Sequence, residues 1–352
     1  MRVSLAILSL PLLTLAACGG GAVNTIGSIT PPASTEPAGD QTFLDVTSAT
    51  TFNTAAGVQS LTVDADTGSA LYAGDASTAT SPNGTVTYDP RDGIFTLVLS
   101  DDAANVSQNL RYQDPAHRTD FADREVPDYD GYNYLTSGSA TDSSRTADTF
   151  FYQRPGTTTS YVTLAGFVHT EYDSDKKVLT NVQNGAMVFG SETPLLQVPT
   201  SGGGHFDGDF LATMVNGQTF SWLNGSSSID VDFAKSTVGL SLDGIVGSSF
   251  NNGVPVAGAL DGATFNATGS ASIITTGGFS GQFSSAFFTA GGTKVPVDFT
   301  SVNPATNVAG GSSIDGGFYG PGAKEVGGNF RIVGGVPNQR VDILGAFTGA
   351  KK

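Results

Sequence analysis

What most restricts this chain is how often it must turn. Short runs of β-branched and aromatic residues, such as Thr85-Val86-Thr87-Tyr88, Ile94-Phe95-Thr96-Leu97-Val98-Leu99, Tyr161-Val162-Thr163-Leu164 and Ala186-Met187-Val188-Phe189, read as strands. Dipeptides that tolerate positive φ fall between such runs: Asn83-Gly84, Asp92-Gly93, Asn184-Gly185, Asn216-Gly217, Asn224-Gly225, Asp243-Gly244, Asn252-Gly253 and Asp261-Gly262. Glycine and proline number 46 and 16 of 352 residues, yet 39% of the chain is hydrophobic and 22 residues are Phe, enough to bury a core. No sustained 3.6-residue period is present, and only 101–110 and 120–126 are expected to form one short helix each. The fold class is all-β.

Charge narrows the function classes. The net charge of −16 repels phosphate backbones, which argues against nucleic-acid binding. The single cysteine makes no internal disulfide. It stands at Cys18, after Met1-Arg2 and an uncharged stretch from Val3 to Ala17, the pattern of a secretory signal peptide too short to span a bilayer. Leu15-Ala16-Ala17-Cys18 looks like the bacterial lipobox, which implies cleavage before Cys18 and its acylation, palmitate included. Residues 18–40, with three consecutive glycines and Thr30-Pro31-Pro32, read as the lipidated cysteine and a flexible tether. Gly19 follows the cysteine in place of the aspartate that retains enteric lipoproteins at the inner membrane, so the expected location is the outer membrane, lipid-anchored and surface-exposed.

Composition shifts near residue 200. From Cys18 to that point there are 22 acidic and 8 basic residues, a net −14; beyond it there are 10 and 7, a net −3. Glycine moves the other way, 16 residues before and 30 after, and nine of ten tyrosines precede the shift. The Pro- and Gly-rich stretch 194–204 has the composition of a linker. The expected organisation is a signal peptide at 1–17, the tether at 18–40, a β-rich domain at 41–200 (handle-like by the resemblance drawn from the motif that follows) and a barrel at 201–352. Candidate barrel strands are 205–211, 228–234, 237–243, 263–271, 278–283, 312–318, 326–333 and 341–348, suiting an eight-stranded antiparallel up-and-down β-barrel. Gly204-His205-Phe206-Asp207-Gly208, Gly278-Phe279-Ser280-Gly281 and Gly317-Phe318-Tyr319-Gly320 form a local repeat in which Phe fills the interior and glycines let strands approach.

The segment Gly316-Gly317-Phe318-Tyr319-Gly320-Pro321-Gly322-Ala323-Lys324-Glu325-Val326-Gly327-Gly328-Asn329-Phe330, with the closing Gly345-Ala346-Phe347-Thr348-Gly349-Ala350-Lys351-Lys352, resembles the transferrin-binding protein B-like family of bacterial surface lipoproteins. The resemblance implies a handle domain ahead of an eight-stranded barrel. It also implies a non-enzymatic protein that captures a host or environmental iron source, a metalloprotein or haem, for uptake by an outer-membrane transporter. True transferrin receptors have two such lobes, and 352 residues hold one. The alternative is a surface structural or adhesion lipoprotein with no small-molecule ligand.

Enzyme motifs fail on inspection. In 317–324 the lysine falls one residue late for a phosphate-binding loop and Glu325 follows it; Ser174 and Lys177 have a Ser-x-x-Lys spacing without its companion motifs; Asp64 and Asp66 lack the rest of a calcium loop. No enzyme activity, resident cofactor or metal site is expected, and the three histidines stand far apart; His205 reads as structural. The best recognition stretch is 114–134, which holds His117, Arg118, Tyr129, Tyr132 and Tyr134 among alternating carboxylates. Tyrosine supplies amphipathic contact area at low entropic cost, and a haem would need a Tyr or His ligand and an Arg near its propionates. The competing reading is a polar loop whose tyrosines pack on the sheet beneath.

Overall fold

The computed structural model describes residues 25–26, 45–63, 70–79, 82–102, 104–112, 129–141, 143–175, 178–217, 219–251, 253–303, 307–337 and 339–352. Cys18, the tether apart from Thr25 and Ile26, His117, Arg118 and the expected helix at 120–126 lie outside the described residues.

Two large, mainly antiparallel assemblies are present, with one small two-stranded sheet beside them. The first contains β1 (Thr25–Ile26), β2 (Thr50–Val63), β3 (Ala70–Ala79), β4 (Gly84–Asp89) and β5 (Ile94–Asp101). It continues with β6 (Val106–Tyr112), β7 (Tyr132–Ala140), β8 (Ser144–Gln153), β9 (Val162–Asp173) and β10 (Val178–Gly190). The hydrogen-bonded path runs β6-β5-β4-β2-β10-β9-β8-β7, with β3 also on β2. The sheet curls so that Phe52, Val86, Phe95, Leu97, Phe150, Phe167 and Phe189 meet in one core. The expected helix at 101–110 is instead a turn and strand β6. Asp101 accepts the Ala104 N–H at 3.0 Å, Asn105 takes φ +51°, and the apolar residues after it alternate with the sheet period, so sheet pairing wins over helix propensity.

The second assembly contains β11 (Gly203–Asn216), β12 (Thr219–Asp232), β13 (Thr237–Asn251), β14 (Val254–Val256), β15 (Thr264–Ile273) and β16 (Phe279–Ala290). Three short strands, β17 (Thr293–Pro296), β18 (Val302–Asn303) and β19 (Val308–Ala309), precede β20 (Gly311–Tyr319), β21 (Glu325–Val336) and β22 (Gln339–Lys351). Pairing proceeds β12-β11-β22-β21-β20-β16-β15-β13 and closes through β12–β13, so each of the eight long strands has two partners and no edge is left open. This is the expected up-and-down barrel with all eight strands in the expected order. Its interior is packed with Phe206, Phe210, Phe265, Phe279, Phe283, Phe288, Phe318, Phe330 and Phe347. The three glycine-flanked phenylalanines behave as expected: Phe279 lies 5.7 Å from Phe318, and a Cβ on Gly208 or Gly281 would fall 2.1 or 2.0 Å from a carbonyl of the adjacent strand.

Some of the Asn-Gly and Asp-Gly pairs turn and some do not. Gly93, Gly217, Gly253 and Gly262 have positive φ at turns. Asn184-Gly185, Asn224-Gly225 and Asp243-Gly244 lie inside strands. Gly225 and Gly244 are cross-strand partners, and the Phe210 ring occupies the place a Gly244 Cβ would take, at 2.6 Å. These glycines give room for a core phenylalanine and a neighbouring backbone where a turn was expected.

Candidate functional site

The two assemblies pack face to face, and the seam between them gathers most of the sequence features singled out above. Strand faces explain why. Along β9, Ala165 and Phe167 enter the curled sheet's own core, whereas Val162, Leu164 and Val168 point to the barrel. They join Leu61, Phe151, Ala186 and Val188 from the handle and Leu211, Val215, Phe220, Trp222, Tyr319 and Ala346 from the barrel in one apolar cluster. Where the sheets approach, a Gly57 Cβ would lie 3.6 Å from the Gly345 backbone, so small residues set the spacing.

Polar pins surround this cluster. Glu325, the acid of the glycine-rich motif, accepts three consecutive N–H groups, from Ser160, Tyr161 and Val162, at 2.6, 2.7 and 2.9 Å. Burial raises its carboxyl above the usual range, and these three hydrogen bonds pull it back in part. Asp209 receives Gln153 Nε2 and Thr158 Oγ1 at 2.5 and 2.6 Å. Gln59 Nε2 reaches Thr213 Oγ1 at 3.1 Å across the seam. Thr193 donates to the Gly320 carbonyl at 2.6 Å, and Lys324 Nζ stands 5.6 Å from the centre of the Tyr161 ring. On the barrel wall, Arg331 and Asp342 form a buried two-point ion pair at 3.0 and 2.6 Å. The Phe-Tyr-Gly-Pro turn and the Glu-Val-Gly-Gly strand therefore bind the handle.

The three tyrosines sit at the rim of the same seam. The turn at Asp130-Gly131, with Gly131 at φ +84°, brings Tyr129 back over β7, where its N–H bonds the Tyr134 hydroxyl at 2.8 Å. Tyr134 stacks on Phe151 at 5.3 Å and 11°, Tyr132 lies 5.9 Å from Phe151, and Phe151 meets Trp222 edge-on at 5.3 Å. All three are half-buried, and burial raises the phenols of Tyr129 and Tyr132 well above their ordinary value. They form an aromatic column running from handle to barrel.

The described histidines are occupied by carboxylates. His205 on β11 bonds Asp230 at 2.7 Å and lies 3.0 Å from Asp207; the Asp230 hydrogen bond raises its pKa. His169 is buried inside the handle, with Nδ1 2.5 Å from Asp148 and Nε2 3.4 Å from Glu171. Burial lowers its pKa, and the Asp148 and Glu171 contacts outweigh that and raise it. Among the described residues, no three His, Cys, Asp or Glu side chains are grouped to hold a metal ion, and no helix is long and apolar enough to cross a membrane.

Sequence reasoning did not single out Glu325, Asp209 or Trp222 as seam residues. The signal available for Glu325 was its place in the motif, and for Trp222 that it is the chain's lone tryptophan.

A closed barrel whose outer wall carries a second, curled β-sheet defines a two-part β lobe, with its loops and outer surfaces as the accessible faces. Residues 198–352 match the family described as the C-lobe and N-lobe β-barrels of Tf-binding protein B. The barrel half of the chain, residues 198–352, is therefore similar to the barrels of the transferrin-binding protein B-like family. Solved structures similar to it include a Tyr-167-Ala, Trp-176-Ala double mutant of transferrin-binding protein B from Haemophilus parasuis, at 14% identity and a TM-score of 0.37, covering 85% of this chain and 76% of that one. Intact Ap-TbpB, with N and C lobes, is 12% identical at a TM-score of 0.34, covering 91% and 80%. The isotype 1 protein of serogroup B Neisseria meningitidis is 10% identical at 0.32, covering 87% and 77%. No curated protein matches the chain.

Proposed function

We propose that this chain is a non-enzymatic, lipid-anchored protein of the outer membrane that binds a host or environmental iron source and passes it to an outer-membrane transporter. The observation that carries this reading is the family of the barrel, whose named member is a transferrin-binding protein. Support for the anchor comes from Leu15-Ala16-Ala17-Cys18, and support for a binding role from the absence of an enzyme motif in the sequence. The proposed units are a handle at 41–200 and a barrel at 201–352. Of the two ligand classes, a protein is favoured over haem held within the barrel, because the barrel interior is filled by phenylalanine side chains. The same rigid filling suits the second reading, a surface spacer or adhesin without a small ligand.

The proposed contact surface is the 114–134 stretch, with the candidates His117, Arg118, Tyr129, Tyr132 and Tyr134. Lipid-free protein, residues 24–352, used as bait for iron- and haem-binding host proteins, with mass spectrometry and an absorbance scan for haem, tests the reading. Recovery of an iron or haem protein, with binding weakened by H117A/R118A, is expected. Recovery of matrix or cell-surface proteins alone would favour the adhesin. Cys18→Ser should leave the protein outside the membrane fraction; unchanged membrane association in that variant removes the anchor.

A further inference from the structure

Between the end of β10 and the barrel wall lies a small, open cleft that nothing above assigns. It is lined by Asn53 of the handle, by Gly317 and Tyr319 of β20, and by Thr276 and Gly277 in the β15–β16 turn. Glu192 enters it on a backbone held by an antiparallel bridge to Tyr319. Its carboxylate takes part in no hydrogen bond or ion pair with the described residues. The Thr276 hydroxyl, buried in the same wall, has no hydrogen-bond partner either. Among the described residues, no lysine or arginine lines the cleft. A half-buried carboxylate without a counter-charge is costly, and the usual remedies, a paired cation or an array of N–H donors, are not built here.

We propose that this cleft is a binding site for an N–H cation, the ammonium or guanidinium tip of a basic side chain presented by a protein partner. The Glu192 carboxylate supplies the charge and the Thr276 hydroxyl an acceptor lone pair. A chain of net charge −16 draws basic partners toward it. Burial raises Glu192 to about 7, so it is partly neutral at neutral pH and fully charged only above it. Tyr319, the other titratable group in the lining, is raised by burial and by the Glu192 charge and stays neutral throughout. Cation binding therefore strengthens from pH 6 to pH 8. The site is independent of whether the partner carries iron.

The cleft offers a clean variant. A Cβ on Gly317 meets nothing within 4 Å, so a side chain there starts in open space and Gly317→Leu is the variant that occupies the cleft. The experiment follows amide chemical shifts of Thr276, Gly277 and Gly317 in the lipid-free chain at pH 8 during titration with n-butylammonium, n-butylguanidinium, N-acetyl-lysine methylamide and, as the neutral isostere, n-butanol. Saturable shifts with the three cations and none with butanol are expected. Affinity should fall roughly tenfold or more in Glu192→Gln, at pH 6, and in Gly317→Leu. Trp222 fluorescence checks that both variants keep the seam intact. Absent shifts, equal response to butanol, or cation binding unchanged in a folded Glu192→Gln variant would overturn the site. Each of these outcomes leaves the iron-source reading to its own test.

Discussion

Glu325 shows how much one residue can carry in this protein. Its carboxylate is the acceptor for three backbone N–H groups that the strand turn at 160–162 leaves without other use. Glu325→Ala should cost about 3 kcal/mol, since charge-assisted hydrogen bonds are strong and the orphaned donors stay buried. Urea unfolding followed by Trp222 emission measures it, because the lone tryptophan is 1% exposed at the seam. A loss below about 1 kcal/mol would show that water reaches those amides. Asp315, also on the barrel wall, works in the opposite sense. Burial raises it to about 6, with a Ser280 hydroxyl offsetting part of the cost. The folded chain thus holds this proton at pH values where the unfolded chain has released it, so the group's contribution to stability falls as pH rises from about 4 to about 6. Asp315→Asn should therefore gain stability over the parent at pH 8 relative to pH 5. An equal difference at both pH values would contradict this.

At the scale of the element, burial pattern reports position around the barrel. Strand β13 alternates buried and exposed along Thr237-Val238-Gly239-Leu240-Ser241-Leu242, as a wall with one face in solvent must. Strand β21 is buried at every position, because its outer face meets the handle. Gly317 and Gly327 are cross-strand partners that point outward to different surroundings. A Cβ at Gly327 would lie 2.8 Å from Val162 of the handle, whereas one at Gly317 enters open space. Gly327→Val should destabilise by about 2 kcal/mol through overpacking, and Gly317→Val should be within about 0.5 kcal/mol of the parent. Thermal unfolding of the two variants side by side decides it; equal shifts would mean that the seam adapts freely. The eight barrel strands were legible because the alternating apolar positions and glycine spacing are local properties. The mistaken turns at 184–185, 224–225 and 243–244 were not, since a glycine in a turn and a glycine under a phenylalanine ring look the same until the ring's strand is placed.

For the whole molecule, the seam governs how separable the two parts are. The barrel has its own core and no open edge, so a 201–352 fragment should fold with strand-type circular dichroism. It would also expose Leu211, Val215, Phe220 and Trp222, which the handle covers. The fragment is expected to self-associate, to show red-shifted Trp222 emission, and to recover the blue-shifted emission when handle protein is added. A random-coil spectrum would instead make the handle part of the barrel's folding unit. The sequence by itself determined the all-β class, the order of the barrel strands and the family resemblance, because strand period, turn chemistry and a contiguous motif are written within a few residues of one another. Only the tertiary structure decided that the motif's acid grips the handle, that Tyr129, Tyr132 and Tyr134 line up with Phe151 and Trp222, and that Glu192 stands in a cleft without a counter-charge among the described residues. Each of those facts joins residues that are dozens to more than a hundred positions apart, and such proximity arises only when two sheets, each satisfied within itself, bury their remaining apolar faces against each other.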